Sequence, residues 1–250
     1  PSTHWRPDYL DDFLRFSLEN NIKLDVLSWH EFQASNDISQ VATNLRQMRE
    51  NYVDNPEFAP LGIQEIHINE YGFSDKHMIP AFALAYLYYL EEGKADGACR
   101  TCWDACWRKP IGDLLTDELE PRAVWWIYKY YAESHRSRVQ STTNQRFIVP
   151  FASLTPGEDS EARVLLANHY TFSIGNVSVI LKNINEIPNL AEAKEVHVKL
   201  YKIPSTERLP LLEPQLIDEF TKPVVDNTIS IERGALSNND AYSIELFSSN

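Results

Sequence analysis

Ile63-Gln64-Glu65-Ile66-His67-Ile68-Asn69-Glu70-Tyr71-Gly72 is the stretch whose reading decides the fold. Isoleucine recurs at 63, 66 and 68, and β-branched residues suit a pleated, half-buried backbone. The run then meets a carboxylate, Glu70, and a breaker, Gly72. This predicts a buried strand over 63–69 that delivers an acid at its C-terminal end. Two other stretches follow the same plan. Leu24-Asp25-Val26-Leu27-Ser28-Trp29-His30 predicts a strand that finishes on a histidine. Gly97-Ala98-Cys99-Arg100-Thr101-Cys102-Trp103-Asp104 predicts a strand that finishes on a Trp-Asp pair.

Helical patterns separate these strands. Residues 7–20 carry Tyr9, Leu10, Phe13, Leu14 and Leu18 at the 3.6-residue period, with Pro7 suited to a first turn. Ile38, Val41, Leu45, Met48 and Tyr52 form a second apolar stripe, with Asn44, Arg46, Gln47, Arg49 and Glu50 on the wet side. Residues 77–91 are apolar on nearly all sides, which predicts a helix covered on both faces and stopped by Gly93. A last helix is expected from about Pro121 to Arg136. Strands alternating with helices imply a parallel sheet with helices outside it. A doubly wound sheet and a (β/α)8 barrel both satisfy that pattern. No Gly-x-Gly-x-x-Gly or Walker-type loop supports a nucleotide site.

The character changes near residue 140. Gln140-Ser141-Thr142-Thr143-Asn144 reads as a polar link. Short extended segments follow at 146–152, 161–168, 174–182, 194–203, 226–232 and 241–247, with turn residues between them. This is the pattern of an antiparallel β-sandwich. The expected organisation is α/β followed by all-β, with domains at 1–139 and 140–250.

Composition bounds the partners. The 250 residues carry a formal net charge of -13. Phosphate backbones need a basic face, so nucleic acid is excluded, and an anionic membrane surface is disfavoured on the same ground. No run approaches the roughly 20 apolar residues of a membrane-spanning helix. Twelve Tyr, eleven Phe and six Trp supply core, and such rings also serve as stacking platforms for sugars. The three cysteines, Cys99, Cys102 and Cys106, lack a second ligand pair of metal-binding spacing. They are read as buried free thiols, with no metal and no cofactor. The opening Pro1-Ser2-Thr3-His4 has no Met and reads as internal to a longer chain. Extracellular, periplasmic and cytoplasmic locations all stay open.

In a parallel α/β barrel the reacting groups collect where the strands end, at their C-terminal face. His30, Glu70 and the Trp103-Asp104 pair all fall there. Each has a bland reading, as a core histidine or a turn acid. Glu70 is the hardest to dismiss, because a carboxylate at the end of a buried strand must be solvated or partnered.

With these residues in place, the segments 25–30, 65–72, 95–104, Gly112–Thr116 and Trp125–Tyr131 resemble glycoside hydrolase family 39. That family contains β-xylosidases and α-L-iduronidase and belongs to the clan of retaining (β/α)8 glycosidases. The resemblance implies that the three strands are the sixth, seventh and eighth of a barrel, and that Pro1-Ser2 follows the fifth. It implies that Glu70 is the nucleophile and that His30 lines the site beside the reacting sugar. It places Trp103 and Asp104 at the floor, and Trp29 and Tyr71 among the substrate-binding candidates. Tyr71 stands where the family often has Trp, so no specific role comes with it. A retaining glycosidase also needs an acid/base carboxyl about 5–5.5 Å from the nucleophile. No Trp-Asn-Glu-Pro that would supply it occurs here. The expectation is therefore the C-terminal portion of a retaining hydrolase of a β-xyloside-like glycan, inactive alone. Its expected partners are carbohydrate and either the N-terminal half of the barrel or a second copy of itself. A non-catalytic glycan-binding or architectural module is the alternative. A weaker third reading pairs His30 with Glu31 in an unrelated hydrolase.

Overall fold

The structure, a computed structural model, describes residues 4–32, 37–73, 75–101, 109–134, 137–154, 160–169 and 172–248. The chain divides into two compact units, Pro1–His77 with Tyr86–Asp104, and Met78–Ala85 with Ala105–Asn250. Among the described residues no helix is long and apolar enough to cross a membrane.

Up to residue 100, helix and strand alternate in the order α1 (Pro7–Glu19), β1 (Val26–Glu31), α2 (Gln40–Met48), β2 (Glu65–Tyr71), α3 (Pro80–Glu92) and β3 (Gly97–Arg100), all in the first unit except α3 as far as Ala85, which is counted with the second. Pro7 opens α1, where its missing N–H costs nothing. Leu10 and Leu14, one turn apart, are wholly buried. α2 runs on into a π-helical turn, Arg49–Val53. Every residue of α3 from Ala81 to Leu90 except Tyr89 is buried, as its all-round apolar pattern requires. The three strands form a parallel sheet in the order β1-β2-β3. In β1, Leu27, Trp29 and Glu31 are buried, while Ser28 and His30 between them are partly exposed.

Two local devices fasten this unit. Gly93 lies where α2 comes so close that a Cβ would stand 2.6 Å from a Leu45 methyl and 2.9 Å from the Ala42 backbone. Asp96 accepts hydrogen bonds from the Ile66 backbone N–H at 2.8 Å and from the Arg49 guanidinium at 2.6 Å. Burial pushes the Asp96 carboxyl upward in pKa, but these two donors outweigh it and hold the group below its ordinary value.

Among the described residues the second unit contains α4 (Ala123–Ser134) and eight strands, β4 (Arg138–Val139), β5 (Ile148–Leu154), β6 (Ala162–Asn168), β7 (Val177–Lys182), β8 (Glu195–Ile203), β9 (Gln215–Pro223), β10 (Thr228–Arg233) and β11 (Ala241–Ser248). Six of them form a sheet in the order β4-β5-β6-β11-β8-β9, and β7 pairs with β10 in a second sheet. All of these pairs are antiparallel. Val164, Val198, Leu200 and Ile244 of the larger sheet share one apolar core with Ile229 and Ile231 of the smaller. Arg163 joins β6 to its neighbours, meeting Glu245 and Glu133 at 3.0 Å each with its guanidinium over the Tyr130 ring. Burial, with the Glu245 charge adding to it, raises the pKa of Tyr130.

Three expectations are corrected here. β9 is absent from the sequence reading. Its first five residues are all exposed, so over most of its length it lacks the alternation by which a strand is recognised. β3 ends at Arg100, short of the expected 103. Cys99, expected to be a buried thiol, is a free cysteine exposed to solvent. Cys102 and Cys106 lie outside the described residues.

Candidate active site at the strand ends

The site forms where β1 and β2 end side by side. Up to Trp29 and Ile68 their register advances one residue for one, but His30 then pairs with Glu70 rather than with Asn69. Asn69 is an extra residue, a β-bulge. Side chains alternate in direction along a strand, so a regular β2 would aim Glu70 the same way as the buried Ile66 and Ile68. The bulge turns Glu70 to the opposite face, where His30 lies. The imidazole Nδ1 of His30 stands 3.6 Å from a Glu70 carboxylate oxygen. That is close enough for charge interaction and too long for a hydrogen bond. The His30 side chain is 18% exposed and that of Glu70 47%, so the acid faces solvent and the histidine backs it. Asn69 donates to the hydroxyl of Ser28 at 3.0 Å, which braces the bulge across the strands.

A buried layer supports the pair. Glu31, the last residue of β1, has no exposed surface. Its carboxylate accepts from the Trp29 indole N–H at 2.6 Å and from the Asn44 side-chain amide of α2 at 3.0 Å. The Trp29 ring packs against that of Trp5, with ring centres 5.5 Å apart. His4 bridges His30 in parallel register, and the Trp5 backbone N–H donates to the His30 carbonyl at 3.0 Å.

The candidate residues therefore fall into three groups. His30 and Glu70 meet. Trp29 and Tyr71, at 0% and 4% exposure, present no ring surface to solvent, and Tyr71 packs instead on Tyr86 with ring centres 5.3 Å apart. Trp103 and Asp104 lie outside the described residues. Pairing His30 with Glu31 is corrected, because the Glu31 carboxylate is buried toward α2. Asn44, read from the sequence as wet, is 5% exposed. The signal was available: Asn44 falls in step with Val41, Leu45 and Met48, and a polar residue within an apolar stripe announces a buried partner.

No protein-family model matches the chain, and no curated protein sequence matches it. Solved structures do. The protein designated N2152 from Neocallimastix frontalis superposes with a TM-score of 0.79 at 24% identity, over 100% of this chain and 60% of that one. A glucosidase from Croceicoccus marinus matches with a TM-score of 0.66 at 13% identity, over 96% of this chain and 57% of its own. A GH39 enzyme from Xanthomonas axonopodis pv. citri matches with a TM-score of 0.60 at 12% identity, over 96% and 58%. The chain has a glycoside hydrolase-like fold. It spans about three-fifths of the length of these three structures.

Proposed function

We propose that the chain carries the nucleophile half of a retaining glycoside hydrolase active site, with Glu70 as the nucleophile. The observation that supports this reading is the bulge at Asn69, which spends one residue of β2 to bring Glu70 out of the buried face and against His30. At the C-terminal ends of parallel strands such a carboxylate is placed for reaction, whereas an acid kept for stability has no need of solvent. In this reading β1, β2 and β3 are the sixth to eighth strands of a (β/α)8 barrel of the family 39 type. Residues 1–139 then belong to the barrel and 140–250 to a β-sandwich. The neighbours whose names identify a glucosidase and a GH39 enzyme favour a carbohydrate substrate. The second carboxyl of the pair is expected from strands outside this chain.

Chemically, the Glu70 carboxylate attacks the anomeric carbon as the acid/base protonates the leaving oxygen, and water then hydrolyses the glycosyl ester. His30 lies beside the nucleophile, on the side where a sugar hydroxyl would meet its ring. The family 39 resemblance, rather than any described position, is what assigns Trp103 and Asp104 to the floor beneath the sugar.

The test is covalent trapping. A 2-deoxy-2-fluoro-β-xylosyl donor incubated with the intact protein should leave a glycosyl ester on the peptide carrying Glu70. Glu70→Ala should lower turnover of aryl β-xylosides by at least about 10³-fold, the scale of losing a nucleophile. Adduct on another residue, or near-normal turnover by the variant, would overturn the assignment. Sugar binding with no turnover by the wild-type protein would favour the non-catalytic module.

A further inference from the structure

Glu31 is a carboxylate with no exposed surface, one residue beyond His30, and the reaction proposed above gives it no role. Burying a charge in a protein interior is costly unless donors meet it. Here donors from two different elements meet it: the indole of Trp29 on β1 itself and the amide of Asn44 on α2. We propose that Glu31 is a positioning residue for the His30–Glu70 pair, acting through Trp29 and the backbone at the end of β1. The inference rests on the hydrolase reading for the chemistry it serves, but its geometry stands apart from it.

The path is short. Glu31 fixes the tilt of the Trp29 indole, and Trp29 packs on Trp5. The Trp5 N–H holds the His30 carbonyl at 3.0 Å. The carbonyl of Glu31 in turn receives the N–H of Gly72 at 3.4 Å, two residues past Glu70. His30 and Glu70 are thus tied to Glu31 through main chain on both strands. Their own contact, 3.6 Å long and without a hydrogen bond, cannot hold the geometry by itself. At the bulge the ladder between the strands is interrupted, so the pair needs support from elsewhere.

Two variants of the intact protein test this. Glu31→Ala removes the carboxylate and leaves the Trp29 and Asn44 donors without this acceptor. Glu31→Leu combined with Asn44→Leu replaces that pair by apolar groups, an exchange that often restores stability, and leaves the Trp29 indole N–H as the donor that has lost its acceptor. Three readouts separate the roles: hydrogen exchange of the Trp29 indole N–H, the thermal midpoint, and kcat and KM on an aryl β-xyloside. In Glu31→Ala, indole exchange should quicken and kcat fall about tenfold or more, with KM within about twofold, as expected when only alignment suffers. In the double variant the midpoint should rise above that of Glu31→Ala, short of the wild type because the Trp29 indole N–H stays unpaired, while kcat stays low. Recovery of kcat together with the midpoint, or an unchanged kcat in Glu31→Ala, would reduce Glu31 to a structural role and overturn the proposal. If the wild-type protein turns over no glycoside, the hydrolase reading fails. The positioning claim is then judged by the His30 ring resonances: a change in Glu31→Ala upholds it, and unchanged resonances overturn it.

Discussion

His30 meets Glu70 because one residue, Asn69, is accommodated without a partner on β1. The same scale shows how single polar groups are tuned by what surrounds them. Tyr52 donates to Asp11 at 2.7 Å, and that bond, followed by one from Arg15, holds the Asp11 carboxyl below its ordinary pKa. Burial, and then the Asp11 carboxylate, push the Tyr52 phenol up to about 12. A phenol whose folded pKa is raised contributes stability that is complete below its unfolded pKa, about 10, and is lost as pH climbs toward 12. Urea unfolding of Tyr52→Phe should show a shallower decline in stability between about pH 10 and 12 than the wild type. At neutral pH the variant should lose roughly 1 kcal/mol, the worth of an ordinary hydrogen bond. An unaltered alkaline slope would show that the Tyr52 phenol does not titrate with unfolding.

At the scale of elements, the parallel strands depend on how closely their helices approach. Gly93 follows α3 and has no side chain because α2 occupies the space: the Leu45 Cβ lies 2.8 Å from where a Cβ would sit. The atoms in the way include the Ala42 backbone, which cannot swing aside. Gly93→Ala should therefore destabilise the protein by about 1–3 kcal/mol, the usual cost of overpacking, read as a lower thermal midpoint. An equal or raised midpoint would mean that α2 shifts freely. Legibility also differed by element. α1 and the two strands bearing His30 and Glu70 were plain in the sequence because each buries a periodic apolar face, and α3 because its run is apolar on nearly all sides. β9 was not, since it is an edge strand whose one neighbour is β8 and whose side chains mostly face water. The bulge in β2 was equally hidden, because no residue type marks it and only the pairing with β1 reveals it.

At the scale of the whole molecule, a chain of net charge -13 places several of its carboxylates inside and answers them there. In the second unit Asp113 has no exposed surface. Arg122 lies 3.0 Å from one of its oxygens and Arg208 3.5 Å from the other. The angle of the Arg122 approach is that of an ion pair rather than of a hydrogen bond. The Arg122 side chain is 7% exposed and that of Arg208 47%, so the two partners are not equivalent. Asp113→Asn keeps the shape and tolerates the left-handed backbone at φ 69°, yet leaves Arg122 charged and uncompensated. It should cost about 3–5 kcal/mol by denaturant unfolding, whereas Arg208→Ala should cost less than about 1 kcal/mol. Equal losses would show that the buried pair has no special weight.

By itself the amino-acid order determined the alternation of helix and strand, the change to antiparallel strands near residue 140, and the arrival of His30 and Glu70 at strand ends. These follow from local periodicity and from breakers, which act over a few residues. Only the tertiary structure decided that Glu70 turns toward His30, that Trp29 and Tyr71 are buried, and that Glu31 and Asn44 form the support beneath. Each of those depends on which neighbour a side chain meets across a strand or from a helix more than ten residues away, and that is a matter of register and packing rather than of sequence period.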